Sequence, residues 1–398
     1  MAVHRIYFDP GMFGFGRLAS YEYFGHLRKA LERELAQGGD TVECYVADVQ
    51  PTASIRRRAG RLAELIAQTC DADDPLAGPI HLVGHSTGGL DARLVASPSV
   101  SLPVPPGTMR WIPRLVSVST LSTPHYGTPL AGFFATVSGQ RMLYALSALT
   151  FIALSLGSPP LAAASALVVA LGRLDRALGI ELKVLDRATD ALLKVLGDAR
   201  SGEVRSYLSA IKDDQAALIQ LTPEAMDLFQ AGIEDRPGVV YQSTASMAPP
   251  PTPIGWAKTL VRPWVTVSHS IFTALYAVTA RLDERYPCAA HHAGAENEAT
   301  LERVFGRAPG ARANDGVVPL RSQIWGKVVW AGHADHLDIL GHFRGGADAP
   351  GNNDWLSSGS SFDAASFDAL TRALGAGMRA AAAARAAAAA GSAAPPVP

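Results

Sequence analysis

Cysteine is scarce: Cys44, Cys70 and Cys288 are the only three in a chain of 398 residues. An odd count at such wide spacing supports neither a disulfide framework nor a zinc site, and none of the three sits where a nucleophile would be presented. Net charge is as scant. Lys and Arg number 35 against 36 Asp and Glu, leaving −1, which removes the electrostatic case for nucleic acid or for an anionic membrane surface. A long apolar N-terminal stretch is missing too. Met1-Ala2-Val3-His4-Arg5 runs straight into a strand candidate, Ile6-Tyr7-Phe8, with no leader-like core and no small-residue cleavage site. The expectation is a protein that stays in the cytoplasm, one that leaves by a route needing no cleaved leader, or one whose leader precedes this start. Apolar residues are plentiful, at 48% of the chain, enough for a sizeable core in one large domain with an insertion.

The apolar pattern alternates between two periods. Leu18, Tyr21, Phe24, Leu27, Leu31 and Leu35 recur at helical spacing, as do Ile55, Leu62, Leu65 and Ile66. Strand-like runs cover Val42–Val49, Ile80–Val83, Leu115–Val118, Val239–Tyr241 and Lys327–Trp330. Strands alternating with helices predict an α/β fold, a mainly parallel sheet with helices on both faces, and ligands collecting at one edge of it.

Residues 84–88 read Gly-His-Ser-Thr-Gly, directly after a strand candidate and directly before a helix-compatible run from Gly89 to Val95. A strand, a sharp turn and a helix are the context in which Gly-x-Ser-x-Gly presents an exposed nucleophile. Gly84 and Gly88 supply the space the turn needs and leave Ser86 at the top of the sheet. A nucleophilic serine needs a base, and the base an orienting acid, which in this order of elements follow it along the chain. Asn314-Asp315-Gly316 is a polar turn able to present one carboxylate. After the strand at Lys327–Trp330 come His333, His336 and, further on, His342, any of which could be the base. His85 is read as packing beside the elbow and His125 as capping a loop. His291-His292 beside Glu296 does not read as a metal site, because adjacent rings point apart on most backbones.

The segment from Asp315 to Asp338 resembles the end of the bacterial true lipases of the α/β-hydrolase fold, which carry an Asn-Asp-Gly turn with the triad acid and a His-Leu-Asp loop with the triad base. The resemblance selects Asp315 and His336. It extends to Pro10–Phe15, similar to the family's oxyanion loop; to Leu121–Pro129, similar to its Thr-Pro-His-x-Gly segment; and to Gln220–Met226, where the family begins a helix after a Leu-Thr pair. It implies an oxyanion hole from the backbone N–H groups of Met12 and Thr87. It also implies a structural calcium, for which Asp338 matches one aspartate; no second matching Asp is found, and Glu296-Asn297-Glu298 is a poor substitute. Two departures stand out: Pro10-Gly11 replaces the usual His-Gly, and Asp9 would set a negative charge against the oxyanion if it pointed inward.

Met142–Gly172 contains no charged residue and breaks at Gly157-Ser158-Pro159-Pro160. Each arm is shorter than the ~20 residues of a membrane span. A helical hairpin is the better reading: a lid or acyl-chain wall making transient contact with a lipid surface, or a plain buried cap or oligomer contact. Leu174–Leu196 reads as an amphipathic cap helix. The expected organisation is an α/β-hydrolase core in two halves, 1–136 and 236–374, an inserted helical cap or lid at 137–235, and an Ala/Pro-rich low-complexity tail at 375–398. The resulting expectation is a serine carboxylic-ester hydrolase of lipase type acting on hydrophobic acyl esters, with no cofactor required for chemistry. Alternatives with the same triad are a phospholipase, thioesterase, polyester depolymerase or acyltransferase. A non-catalytic hydrolase-fold protein that binds lipid or a partner is an alternative of another class.

Overall fold

The computed structural model describes residues 3–12, 17–18, 21–37, 39–71, 73, 78–156, 206, 209–211, 213–252, 263–281, 283, 285–286, 288, 291–345, 354 and 356–392. Six strands form one sheet: β1 (Val3–Asp9), β2 (Thr41–Val46), β3 (Ile80–His85), β4 (Leu115–Leu121), β5 (Val240–Met247) and β6 (Lys327–His333). Their order is β2-β1-β3-β4-β5-β6, and every neighbouring pair is parallel. Among the described residues ten α-helices accompany them: α1 (Gly25–Ala36), α2 (Ile55–Thr69), α3 (Thr87–Ala96), α4 (Pro129–Phe134), α5 (Val137–Leu156), α6 (Ala216–Gln220), α7 (Pro223–Gly232), α8 (Pro263–Thr279), α9 (Ala295–Phe305) and α10 (Ala364–Ser392).

The strand order determines where a site can form. The chain leaves β1 for β2 on one side and then returns past β1 to β3 on the other. Right-handed crossovers therefore put α1 and α2 on opposite faces. α1 packs against α10, and α2 against α3. The reversal opens a crevice between the carboxyl ends of β1 and β3, the place where open parallel sheets bind ligands. β3 and β4 are buried along their whole length, as strands covered on both faces must be. This sheet, with the sharp strand-to-helix turn after β3, is the α/β-hydrolase fold.

The helical stripe expected from Leu18 begins later than the spacing suggests. Arg17–Leu18 and Tyr21–Glu22 pair as a short antiparallel ribbon, and α1 starts only at Gly25. Tyr23 and Phe24 are buried ahead of it, so they serve the core without being helical. α7 starts with Pro223 at its first turn and Thr222 as its N-cap, the Thr222 hydroxyl accepting from Ala225 N–H at 3.3 Å. The first arm of the apolar hairpin is the C-terminal part of α5; its second arm and the Leu174–Leu196 segment lie outside the described residues. Among the described residues no helix is long and apolar enough to cross a membrane. The Ala-rich run continues α10 as far as Ser392.

Candidate active site

Ser86 stands between β3 and α3 with φ 53° and ψ −126°. A non-glycine residue there costs about 1–3 kcal/mol and persists only where its surroundings impose it. The surroundings do so here. Ser86 N–H donates to Leu121 O at the end of β4 at 2.9 Å. A Cβ on Gly84 would overlap the backbone of Gly88 and Gly89, and one on Gly88 would overlap the Asp9 carbonyl. Gly11 completes the packing: a Cβ there would lie 2.6 Å from the Ser86 Cβ. The loop after β1 thus lies directly against the nucleophile candidate, with Met12 buried beside it. Thr87 is the first residue of α3, so its N–H has no partner within the helix. Phe13–Phe15, the rest of that loop, lie outside the described residues.

Asp315 and His336 meet. His336 Nδ1–H donates to Asp315 Oδ2 at 2.8 Å, and His336 N–H donates to the Asp315 carbonyl at 3.0 Å. The other carboxylate oxygen, Oδ1, accepts from Val317 N–H at 2.9 Å and Val318 N–H at 2.7 Å. Gly316 makes this turn, at φ 97°, its N–H donating to Asn314 Oδ1 at 2.8 Å. With Nδ1 holding the proton for Asp315, Nε2 of His336 is left as an acceptor. The rings of His336 and His85 lie 4.6 Å apart, centroid to centroid, so the base candidate sits beside the elbow. No hydrogen bond joins Ser86 Oγ to His336 among the described residues; such links are often long until substrate is bound. Of the other base candidates, His333 is exposed at the end of β6 against Phe305. His342 is buried and donates from Nε2 to the Tyr23 carbonyl at 3.2 Å.

Two apolar cavities of about 20 Å³ each flank this group. One touches Met12, Ser86, Thr87, Leu130, Phe134 and Val317; the other touches Leu146, Thr150, Val317 and His336. α4 lines the first and α5 the second. Thr128 fixes the start of α4 to the acid loop: its hydroxyl donates to Val317 O at 2.6 Å. His125, read as a loop cap, is buried and takes part in a packed cluster. Its Nε2 lies 3.1 Å from Thr120 Oγ1, and its Nδ1 lies 3.2 Å from Arg93 Nη1, whose guanidinium stacks on Trp325.

Asp9 does not face the oxyanion position. Its side chain is buried, with Oδ1 3.7 Å from Arg58 Nη2. Burial, and then the neighbouring Asp91, push its pKa well above the ordinary carboxylate value. Arg58 Nε also donates to Asp91 Oδ2 at 2.7 Å, and its Nη2 donates to the Pro10 carbonyl in the loop before Met12. Neither Arg58 nor Asp91 stood out in the sequence. The available signal was a cation on the apolar face of α2, between Ile55 and Leu62.

The implied calcium ligand, Asp338, sits beside Asp335. Asp338 is buried, and its Oδ2 accepts from Asp335 N–H at 2.8 Å and from Ser360 Oγ–H at 2.7 Å. Asp335 accepts at Oδ1 from Leu337 N–H at 2.9 Å and Asp338 N–H at 3.1 Å, and at Oδ2 from Ser358 Oγ–H at 2.7 Å. With Asp354 and Arg344 they line a cavity of about 510 Å³. Oxygen donors suit calcium in kind, yet no three His, Cys, Asp or Glu side chains among the described residues converge where a metal could be held. Both oxygens of Asp335 and Oδ2 of Asp338 thus accept from backbone and serine donors. Glu296 and Glu298 are engaged elsewhere, by Lys327 at 3.1 Å and by Arg321.

No protein-family model matches the chain. Over 121 residues, 30% of this chain, it is 31% identical to a triacylglycerol lipase of Vibrio cholerae serotype O1, and the match covers 32% of that protein's length. Staphylococcus hyicus lipase aligns over 96% of this chain and 97% of its own, at 16% identity and a TM-score of 0.48. Lipase 1 from Pelosinus fermentans aligns over 90% of this chain and 98% of its own, at 17% identity and a TM-score of 0.48. The chain is therefore similar to a triacylglycerol lipase over about a third of that lipase's length, and its own sheet carries the α/β-hydrolase fold.

Proposed function

We propose that the protein is a serine carboxylic-ester hydrolase acting on esters with a hydrophobic acyl chain. The observation that carries this reading is the Asp315–His336 pair beside the strained Ser86 elbow. Asp315 holds the imidazole in the tautomer whose Nε2 can accept a proton, and it stabilises the ring once charged. Nε2 takes the Ser86 proton as Oγ attacks the ester carbonyl. The oxyanion that forms is met by the N–H groups of Thr87 and Met12. His336 then passes its proton to the departing alcohol oxygen, and water, deprotonated in turn by His336, releases the acid and restores Ser86. The apolar walls at Leu130, Phe134, Leu146 and Val317 favour a hydrocarbon acyl group. α4 and α5 supply part of those walls, which suits a lid or acyl-wall role for the uncharged α5 segment.

Thioester hydrolysis, phospholipid or polyester cleavage and acyl transfer would pass through the same acyl-enzyme. The non-catalytic reading rested on Asp9, and the pairing of Asp9 with Arg58 weakens it. The test is labelling by a serine-reactive fluorophosphonate, together with hydrolysis of p-nitrophenyl esters of short and long chain, beside Ser86→Ala. Labelling and turnover that both vanish in the variant are expected. A folded wild type that neither labels nor hydrolyses any of these esters would overturn the reading.

A further inference from the structure

His85 stands next to the nucleophile in sequence and next to the base in space, and the reaction as written gives it no part. It is the last residue of β3 and fully buried. Its Nε2 lies 2.9 Å from the His336 carbonyl oxygen, and its Nδ1 lies 2.8 Å from the Tyr23 hydroxyl. A carbonyl can only accept, so Nε2 of His85 must carry the hydrogen. Nδ1 is then the acceptor, and Tyr23 O–H donates to it. One tautomer satisfies both contacts. Tyr23 is itself held, with its carbonyl accepting from His342 Nε2 and its ring edge-on to Phe24 at 5.1 Å.

The consequence falls on His336. Its ring and its N–H are tied to Asp315, on the acid loop. Its carbonyl is tied to His85, the last residue of the strand that leads into Ser86. Without the second tie, the His336 loop could pivot about Asp315 while keeping the acid–base pair intact, and Nε2 would swing relative to Ser86 Oγ. We propose that His85 is a positioning residue that locks the main chain of the base to the strand leading into the nucleophile, with Tyr23 fixing its tautomer. This rests on the ester-hydrolase reading. The arrangement also demands that His85 stay uncharged beside a base that becomes a cation. Burial, and then the proximity of His336, hold its pKa well below the usual histidine value.

The experiment measures kcat and KM on p-nitrophenyl butyrate for the full chain and for His85→Leu, His85→Gln and Tyr23→Phe, each normalised by fluorophosphonate titration of Ser86. Misplacing reacting groups by about 1 Å costs on the order of 100-fold, so His85→Leu should lower kcat by about that factor. KM should stay within about twofold, since no substrate contact is removed. His85→Gln places an amide N–H where Nε2–H was and should recover at least about tenfold of the loss, a rescue that a purely structural role would not give. Tyr23→Phe should lower kcat several-fold at unchanged KM. Wild-type kcat in His85→Leu, or equal losses in His85→Leu and His85→Gln, would overturn the proposal. If His85→Leu fails to fold, Tyr23→Phe decides, since it deletes one oxygen, and an unchanged kcat there overturns the proposal. A wild type that neither labels nor turns over defeats the ester-hydrolase reading and the positioning role with it. An active wild type with indifferent variants defeats the positioning role alone.

Discussion

Asp315→Asn tests the tautomer argument with almost no change of shape. In the wild type, Oδ1 of Asp315 accepts from Val317 N–H and Val318 N–H, at 2.9 and 2.7 Å, and Oδ2 accepts from His336 Nδ1–H at 2.8 Å. An asparagine can place its amide either way round. With its NH2 toward Val317 and Val318, donors would face donors at two buried positions, each orphaned group costing about 1–3 kcal/mol. The amide oxygen therefore keeps the backbone contacts, and the NH2 faces His336. An NH2 only donates, so Nδ1 must present its lone pair and the proton moves to Nε2. His336 then offers a hydrogen to Ser86 where it should accept one. Turnover should fall by about 10⁴, the penalty known for a triad acid changed to its amide, which is about 5.4 kcal/mol of transition-state stabilisation at 1.36 kcal/mol per tenfold. Stability should barely respond, because a charged hydrogen bond is exchanged for a neutral one at a difference of about 1 kcal/mol. Steady-state hydrolysis of a short-chain p-nitrophenyl ester, with thermal unfolding of the same samples, reads both quantities. A folded variant retaining about a tenth or more of wild-type turnover would refute the argument, since an acceptor at Nε2 would then not depend on Asp315.

Two further outcomes concern stability. His81 is buried between His4 Nδ1, 2.9 Å from its Nε2, and Ser117 Oγ, 2.7 Å from its Nδ1, and burial lowers its pKa to about 3. A histidine depressed in the folded state binds its proton more readily when unfolded. Its contribution is therefore present above about pH 6.5 and is lost as pH falls toward the folded value. Asp91 and Asp335, each raised by burial to about 6, pull the opposite way. The difference between proteins isolates the histidine: on going from pH 7.5 to 5, urea unfolding should show the wild type losing about 2 kcal/mol more than His81→Asn, and parallel pH curves would remove His81 as the cause. Arg58→Met should cost about 3–5 kcal/mol, because it strands Asp91 and Asp9 in the interior without their cation. It should also slow turnover by freeing the Pro10 carbonyl. A loss under about 1 kcal/mol in the same assay would show that the cluster is neutral without Arg58.

What was legible in the sequence follows from how local each feature is. The Ser86 elbow was readable because its demands fall on residues two positions away, where only glycine avoids overlap with Asp9 and Gly89. The Asn314–Gly316 turn was readable for the same reason: Asn314 Oδ1 and a left-handed Gly316 make the turn within three residues. β4 and β5 were found but cut short, β4 by three residues and β5 by most of its length, because Ser119, Thr120, Ser243, Thr244 and Ser246 are polar yet buried between neighbouring strands. Alternation of apolar and polar types does not register a polar side chain whose partner lies on a neighbouring strand. The same blindness hid Tyr23 and Arg58. Tyr23 donates to a residue 62 positions on, and Arg58 to one 33 positions on, so no window along the chain contains both ends. It also misplaced the weight of Asp9. Read alone, a carboxylate beside an oxyanion loop looks like a defect. In the structure it lies 3.7 Å from Arg58, which holds the Pro10 carbonyl and has its charge answered by Asp91 within the same buried cluster. On the proposed function, the reacting groups sit at the elbow and the turn, which are local in sequence, while the contacts that hold them come from distant strands and helices.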